Sequence, residues 1–188
     1  MKESILYFES PGKENTQDVM SLVKKRAQVL GINRLVLAST RGNTAEMFNE
    51  AFDGTDIKLI VIPWQFGFRE GPHPFPQKLK TALEEKGHRV HFSTMLFHTD
   101  DFYGVKNPTS LANILRIFGQ GIKVCVEILL MACDGGCIEW GEEVIAVAGT
   151  AGGADTAVVA TAAPSTRIKQ LKIHEIICKP LLRDKTGD

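Results

Sequence analysis

An α/β fold, with a mostly parallel sheet covered by helices on both faces, follows from two features of the sequence. Short apolar runs rich in β-branched residues alternate with longer segments of helical periodicity, the pattern of strands joined by helical crossovers. Two of those runs, residues 34–39 and 144–148, break directly into turns of glycine and hydroxyl residues. In sheets of this kind ligands sit outside the carboxyl ends of the strands, where the winding reverses.

The elements follow in order. Residues 5–8 read as a short strand and residues 9–12 as a turn. Asn15 or Thr16 then caps a helix whose apolar positions Val19, Leu22, Val23, Ala27 and Leu30 recur at helical spacing until Gly31. The first core strand, residues 34–39, leads through Arg41 and Gly42 into a helix over 44–52, with Asn43 as its cap and Glu46 at capping-box spacing. The run 57–62 is apolar enough to be buried on both faces, and an aromatic, glycine-rich loop over 63–72 follows it. A helix over 76–86, a third strand over 88–93 and an irregular stretch over 94–106 come next. Two further helices, 107–118 and 122–132, are separated by Gly119 and Gly121. The fourth core strand, 144–148, reverses through a second glycine-rich turn, 149–156, into a strand over 157–163 antiparallel to its neighbour. The end of the chain, 183–188, reads as a loose charged segment.

The 188 residues suit one domain spanning 1–188, with no linker or internal repeat. Lys plus Arg and Asp plus Glu both number 22. No basic field recruits nucleic acid or a membrane surface, while a local site for a small anion stays open. No run reaches the roughly 18 apolar residues of a spanning helix, and the N-terminus lacks a signal peptide, so a cytoplasmic protein is expected. The four cysteines do not form a disulfide framework.

The turn after the first core strand collects Ser39, Thr40, Arg41, Gly42, Asn43 and Thr44. Hydroxyls, a close-approach glycine and a helix N-terminus together suit a phosphate. The second turn offers Gly149, Thr150, Gly152, Gly153, Asp155 and Thr156. Helices that lead into parallel strands start on the same rim, which adds Asn15, Thr16, Gln120, Gly121 and Lys123, the last as a cation for a phosphate. The loop after the second strand brings Trp64, Phe66, Gly67 and Phe68, and alternation puts the three rings on one face for stacking or for burial against the sheet edge. Phosphate donors beside flat rings are what a mononucleotide needs.

The pairing of residues 39–45 with residues 142–156, together with 8–16 and 118–124, resembles the C-terminal, effector-binding domain of pyruvate kinase, specifically its stand-alone, mostly archaeal relatives. The resemblance runs over nearly the whole chain. It implies a three-layer α/β/α sandwich on a mostly parallel five-stranded core sheet of order 3-2-1-4-5, with the last strand antiparallel. It also implies a phosphate at residues 39–44 and, from the stand-alone members, a bound flavin mononucleotide (FMN). The kinase's catalytic barrel is absent, so phosphoryl transfer from phosphoenolpyruvate is not expected. Any oxidoreductase activity would come from the flavin itself. The cationic effector loop of the kinases is replaced here by residues 149–155, which disfavours a doubly phosphorylated sugar.

The expected function is therefore a phosphate-ligand binding protein, with FMN as the ligand held by the first turn and by residues 149–156. A non-catalytic sensor for another phosphorylated metabolite is the alternative, and a thiol redox protein using Cys133 and Cys137 is the third reading. A homo-oligomer is left open, and no metal site is expected, because the two cysteines lack further ligands at zinc spacing. His98, Asp100 and Asp101 are candidate acid–base groups beside a bound ring.

Overall fold

The structure, a computed structural model, describes residues 4–181. The charged segment expected over 183–188 lies outside the described residues. The strands are β1 (Leu6–Phe8), β2 (Arg34–Ala38), β3 (Lys58–Ile62), β4 (Arg89–Val90), β5 (Glu143–Ala148), β6 (Thr156–Thr161) and β7 (Lys172–Pro180). The helices are α1 (Thr16–Leu30), α2 (Asn43–Ala51), α3 (Gln77–Glu85), α4 (Asp100–Tyr103), α5 (Asn107–Arg116) and α6 (Gln120–Asp134).

One seven-stranded sheet runs β1-β7-β6-β5-β2-β3-β4. Its central strands β4-β3-β2-β5-β6 reproduce the expected order 3-2-1-4-5. The pairs β2–β3, β2–β5 and β3–β4 are parallel and β5–β6 is antiparallel. The sheet holds two more strands than the five expected. β7 lies antiparallel on β6, and β1 parallel on β7. The register slips twice along β6–β7, and such bulges break the period-two pattern by which a strand is read from sequence.

Alternation along the central strands separates two cores. Leu35, Leu37, Leu59, Val61, Ile145 and Val147 face Val19 and Val23 of α1 and Phe48 of α2. Val36, Ile60, Val144, Ala146 and Val158 face Cys125, Ile128 and Leu129 of α6. α6 is buried over most of its length because it closes one whole face of the sheet. α5 packs Ala112 and Leu115 on Val126 and Leu130 of α6, outside that layer.

Three local expectations are corrected. The N-cap of α2 is Gly42, with φ +90°, and Asn43 is the first helical residue. Asn43 therefore makes no cap, and the Ser39 hydroxyl accepts the Ala45 N–H instead. The third strand is shorter than 88–93: Arg89 and Val90 pair with β3, and only the His91 N–H to Val61 carbonyl bond extends beyond them. The irregular stretch 94–106 contains a 3-10 turn, Leu96–His98, and the short helix α4.

Candidate functional site

The carboxyl ends of β2, β3 and β5 form one rim, so the turns after β2 and β5 leave from adjacent strand ends. The second turn is tied down by its own polar atoms. Asp155 is fully buried, and its carboxylate accepts the N–H groups of Gly12 (3.1 Å) and Thr150 (3.0 Å) and the hydroxyl of Thr156 (2.7 Å). Thr16 donates to the Lys13 carbonyl and accepts the Ala154 N–H. Gly153 lies so close to Lys13 that a Cβ there would stand 2.5 Å from Lys13 Cα. Gly121 meets Thr156 in the same way, where a Cβ would lie 2.0 Å from the hydroxyl. Asn15 turns its amide onto the Ser10 and Gly12 carbonyls. Thr16, Gly121, Gly153, Asp155 and Thr156 thus join α1, α6 and β6. The tip at Thr150 and Gly152 is more open.

The first turn is less committed. Ser39 is engaged with α2, but Asn43 and Thr44 begin that helix, where backbone N–H groups have no intrahelical acceptor. The Thr44 hydroxyl makes no hydrogen bond among the described residues. Arg41 is exposed. Gly42 is buried, and a Cβ there would stand 2.5 Å from Leu79 Cδ2.

Beside Thr40, a partly open cavity of about 180 Å³ lies between the ends of β2 and β3 and α6, from Gln120 to Met131. Thr40, Trp64, Phe68, Gln120 and Lys123 all line it. None of residues 149–156 does. Trp64 and Phe68 meet edge to face, with centroids 5.0 Å apart, and Phe68 meets His98 in the same way at 5.1 Å. Phe66 does not join them. The chain turns at Gly67, φ +74°, and Phe66 packs on His73 and Phe92. There it borders a separate, more open groove of about 470 Å³ with Gln65, His91 and Asp134. The expectation of three rings on one face fails because a left-handed glycine resets the alternation.

Lys123 is not a free cation. Its ammonium lies 2.5 Å from Glu127 and donates to His98 Nε2 at 3.0 Å, and the second Glu127 oxygen accepts the Phe97 N–H. Desolvation pulls the Lys123 pKa down, against the attraction of Glu127. His98 is pulled below its ordinary value by desolvation and then by Lys123, and its Nε2 accepts from the Lys123 ammonium. The unpaired cation is Arg116, a cavity-lining residue that the sequence reading passed over. Its guanidinium donates to Gln120 and Asn113, and no carboxylate among the described residues pairs with it. Cancelling Lys123 against Glu127 leaves the cavity with the charge of Arg116, which suits an anion.

No family model matches the chain. Similar solved structures include two of pyruvate kinase from Cryptosporidium parvum, one of them in complex with ADP. They are 13 % and 14 % identical to this chain, cover 79 % and 86 % of it, and have TM-scores of 0.43 and 0.39. Both are pyruvate kinases. This chain corresponds to 23 % of the length of each, and at these scores the likeness says nothing of ligand or activity. The fold assignment rests on the sheet order itself.

Burial raises the thiols of both Cys133 and Cys137, opposite to what an attacking thiolate requires. Cys178, buried on β7, is pushed up to about 12 by desolvation. Among the described residues no group of three or more His, Cys, Asp or Glu is arranged to hold a metal ion. No helix among them is long and apolar enough to cross a membrane.

Proposed function

We propose that this protein binds a small phosphorylated ligand with a flat ring, FMN being the ligand to test first. The observation that carries this reading is that one cavity holds two aromatic walls, Trp64 and Phe68, a cation without a carboxylate partner, Arg116, and Thr40 of the strand-to-helix turn. The donor set fits the group. Thr40 and the Arg116 fork at the cavity, and beyond its lining the N–H groups that open α2 and the Thr44 hydroxyl, are donors a phosphate accepts from, and Trp64 and Phe68 supply apolar rings for a flat ligand to pack against. The cavity, about 180 Å³, is smaller than the ~300–1,000 Å³ of ordinary ligand sites. The chain would therefore enclose the ring and leave the charged end at the mouth, toward Thr40 and Arg116. A bound flavin would supply hydride or electron transfer, and the protein's part would be to bind it, orient it and exclude water.

The small volume also favours a second reading, a sensor for a phosphorylated metabolite more compact than a flavin. Thermal melts with FMN, riboflavin and a panel of sugar phosphates separate the two. FMN at about 100 times its dissociation constant should stabilise the fold by about 2.7 kcal/mol, several degrees of melting temperature, and riboflavin should do much less. Arg116→Ala and Thr44→Ala should each weaken FMN at least about tenfold, or 1.4 kcal/mol. A rise with sugar phosphates alone transfers the site to the second reading. No rise with any of these at roughly 1 mM, where even weak sites fill, refutes both.

A further inference from the structure

The face of the protein that α4 and α5 present to solvent is unusually apolar. Phe102 is 83 % exposed and Ile117 is 71 % exposed, and Tyr103, Leu111, Ile114 and Phe118 are also exposed. Leu111 and Ile114 lie on α5, and Ile117 and Phe118 lie in the turn that directly follows it. The inward-facing residues are already satisfied, since Ala112 and Leu115 dock on α6. The exposure of these side chains does not come from a helix standing clear of the fold. α5 is well seated, and its outer side is apolar in addition to its inner one.

We infer that this face joins a second copy of the chain in a two-fold homodimer. Area is the first argument. The six side chains expose roughly 800 Å², about what one partner contributes to a standard-size interface and more than the few hundred Å² of apolar patch a monomer ordinarily shows. Charge is the second. Asp100 at the start of the segment is engaged by the Thr109 N–H and approached by Lys106 at 3.9 Å, which leaves the exposed Asp101 unmatched at that end. At the other end Lys179 donates to the Phe118 carbonyl and puts a positive charge where α5 finishes. A two-fold axis that packs α5 antiparallel against its copy brings the Asp101 end of each onto the Lys179 end of the other. It also sets the two helix dipoles antiparallel, each N-terminus beside the other's C-terminus. The apolar centre and the charged ends then agree on one arrangement.

The test is sedimentation equilibrium of the full chain from roughly 1 to 100 μM, a range that spans the dissociation constants of ordinary dimers. A species of twice the chain mass is expected. Leu111→Asp and, separately, Ile114→Asp should each raise the dimer dissociation constant by at least about a hundredfold, since both lie in the apolar centre between the charged ends and a charge there is left desolvated. Both positions are solvent-facing, so circular dichroism should stay native. Val29→Asp, on the exposed side of α1, should leave the dimer intact. A wild-type chain that is monomeric throughout the range overturns the proposal, as does a dimer that survives both charged variants. Monomeric protein that co-sediments with lipid vesicles through the same residues would overturn it as well, and assign the face to a lipid surface.

Discussion

The buried pair at the floor of the cavity allows a sharp test of the site's electrostatics. The side chains of Lys123 and Glu127 are only 2 % and 4 % exposed and lie 2.5 Å apart, so solvent screening barely weakens their interaction. Glu127→Gln keeps the shape, and the amide oxygen can still accept the Phe97 N–H that Glu127 accepts at 3.0 Å. What it removes is the countercharge. Lys123 is then left with His98 Nε2, which cannot compensate a charge, and breaking such a pair costs about 3–5 kcal/mol. The adjoining cavity can hydrate the ammonium, which places the expected loss near the lower end, about 3 kcal/mol. In urea, with a slope of about 1–3 kcal/mol/M, that moves the midpoint down by roughly 1–3 M. Adding Lys123→Met should recover most of the loss, because no charge then stays buried and the Phe97 bond is retained. A Glu127→Gln variant within about 1 kcal/mol of wild type, or a double variant no more stable than the single one, would show that Lys123 is not held as a buried cation by Glu127.

Two further outcomes follow from the packing and the histidines. Gly121→Ala should cost about 1–3 kcal/mol by chemical denaturation, since its Cβ would meet the Thr156 hydroxyl and the clamp around Asp155 would have to shift; an unchanged midpoint would show that contact to be slack. His98 and His88 are both held below the ordinary histidine value, in each case by desolvation first and a nearby lysine second. A depressed histidine keeps its proton off in the folded chain while the unfolded chain takes one up near pH 6.5, so stability should be full at neutral pH and fall as pH drops below about 6.5. His98→Gln and His88→Gln should flatten that fall, and a slope unaltered in the double variant would remove both residues from it.

The central five strands were legible because each is a short apolar run bounded by turn residues, and the turns carry glycines where the backbone needs them. Gly31 ends α1 with φ +68° and Gly42 opens α2 with φ +90°. β7 was not legible, since its bulged pairing with β6 mixes polar and apolar residues without a fixed period. Of the site, Thr40, Trp64, Phe68, Gln120 and Lys123 do meet at one cavity. Lys123 was read as a rim cation for a phosphate because a charge at a helix start on the ligand-binding edge is usually free to pair. The contrary signal was present, in that Glu127 stands four residues on within an otherwise apolar helix, and a charged pair at that spacing inside a buried element is internally neutralised. Arg116 carried no such mark. Its place at the cavity depends on how α5 docks against α6, which is a long-range property of the fold. Nor does spacing reveal that Asp155 and Thr156 are consumed in holding α1, because Gly12 is brought to them only by tertiary contact.

The extra pair of strands at one border of the sheet has a bearing on how copies of this chain can meet. β6 has its ladder groups taken on both sides, by β5 and β7, so no foreign strand can extend the sheet from it. The two strands that remain outermost, β1 and β4, offer three and two residues, too few to template a durable ladder. Among the described residues the sheet therefore offers no long free edge for association from molecule to molecule, and the exposed apolar side chains of the helical layer are the broader surface for a lasting contact.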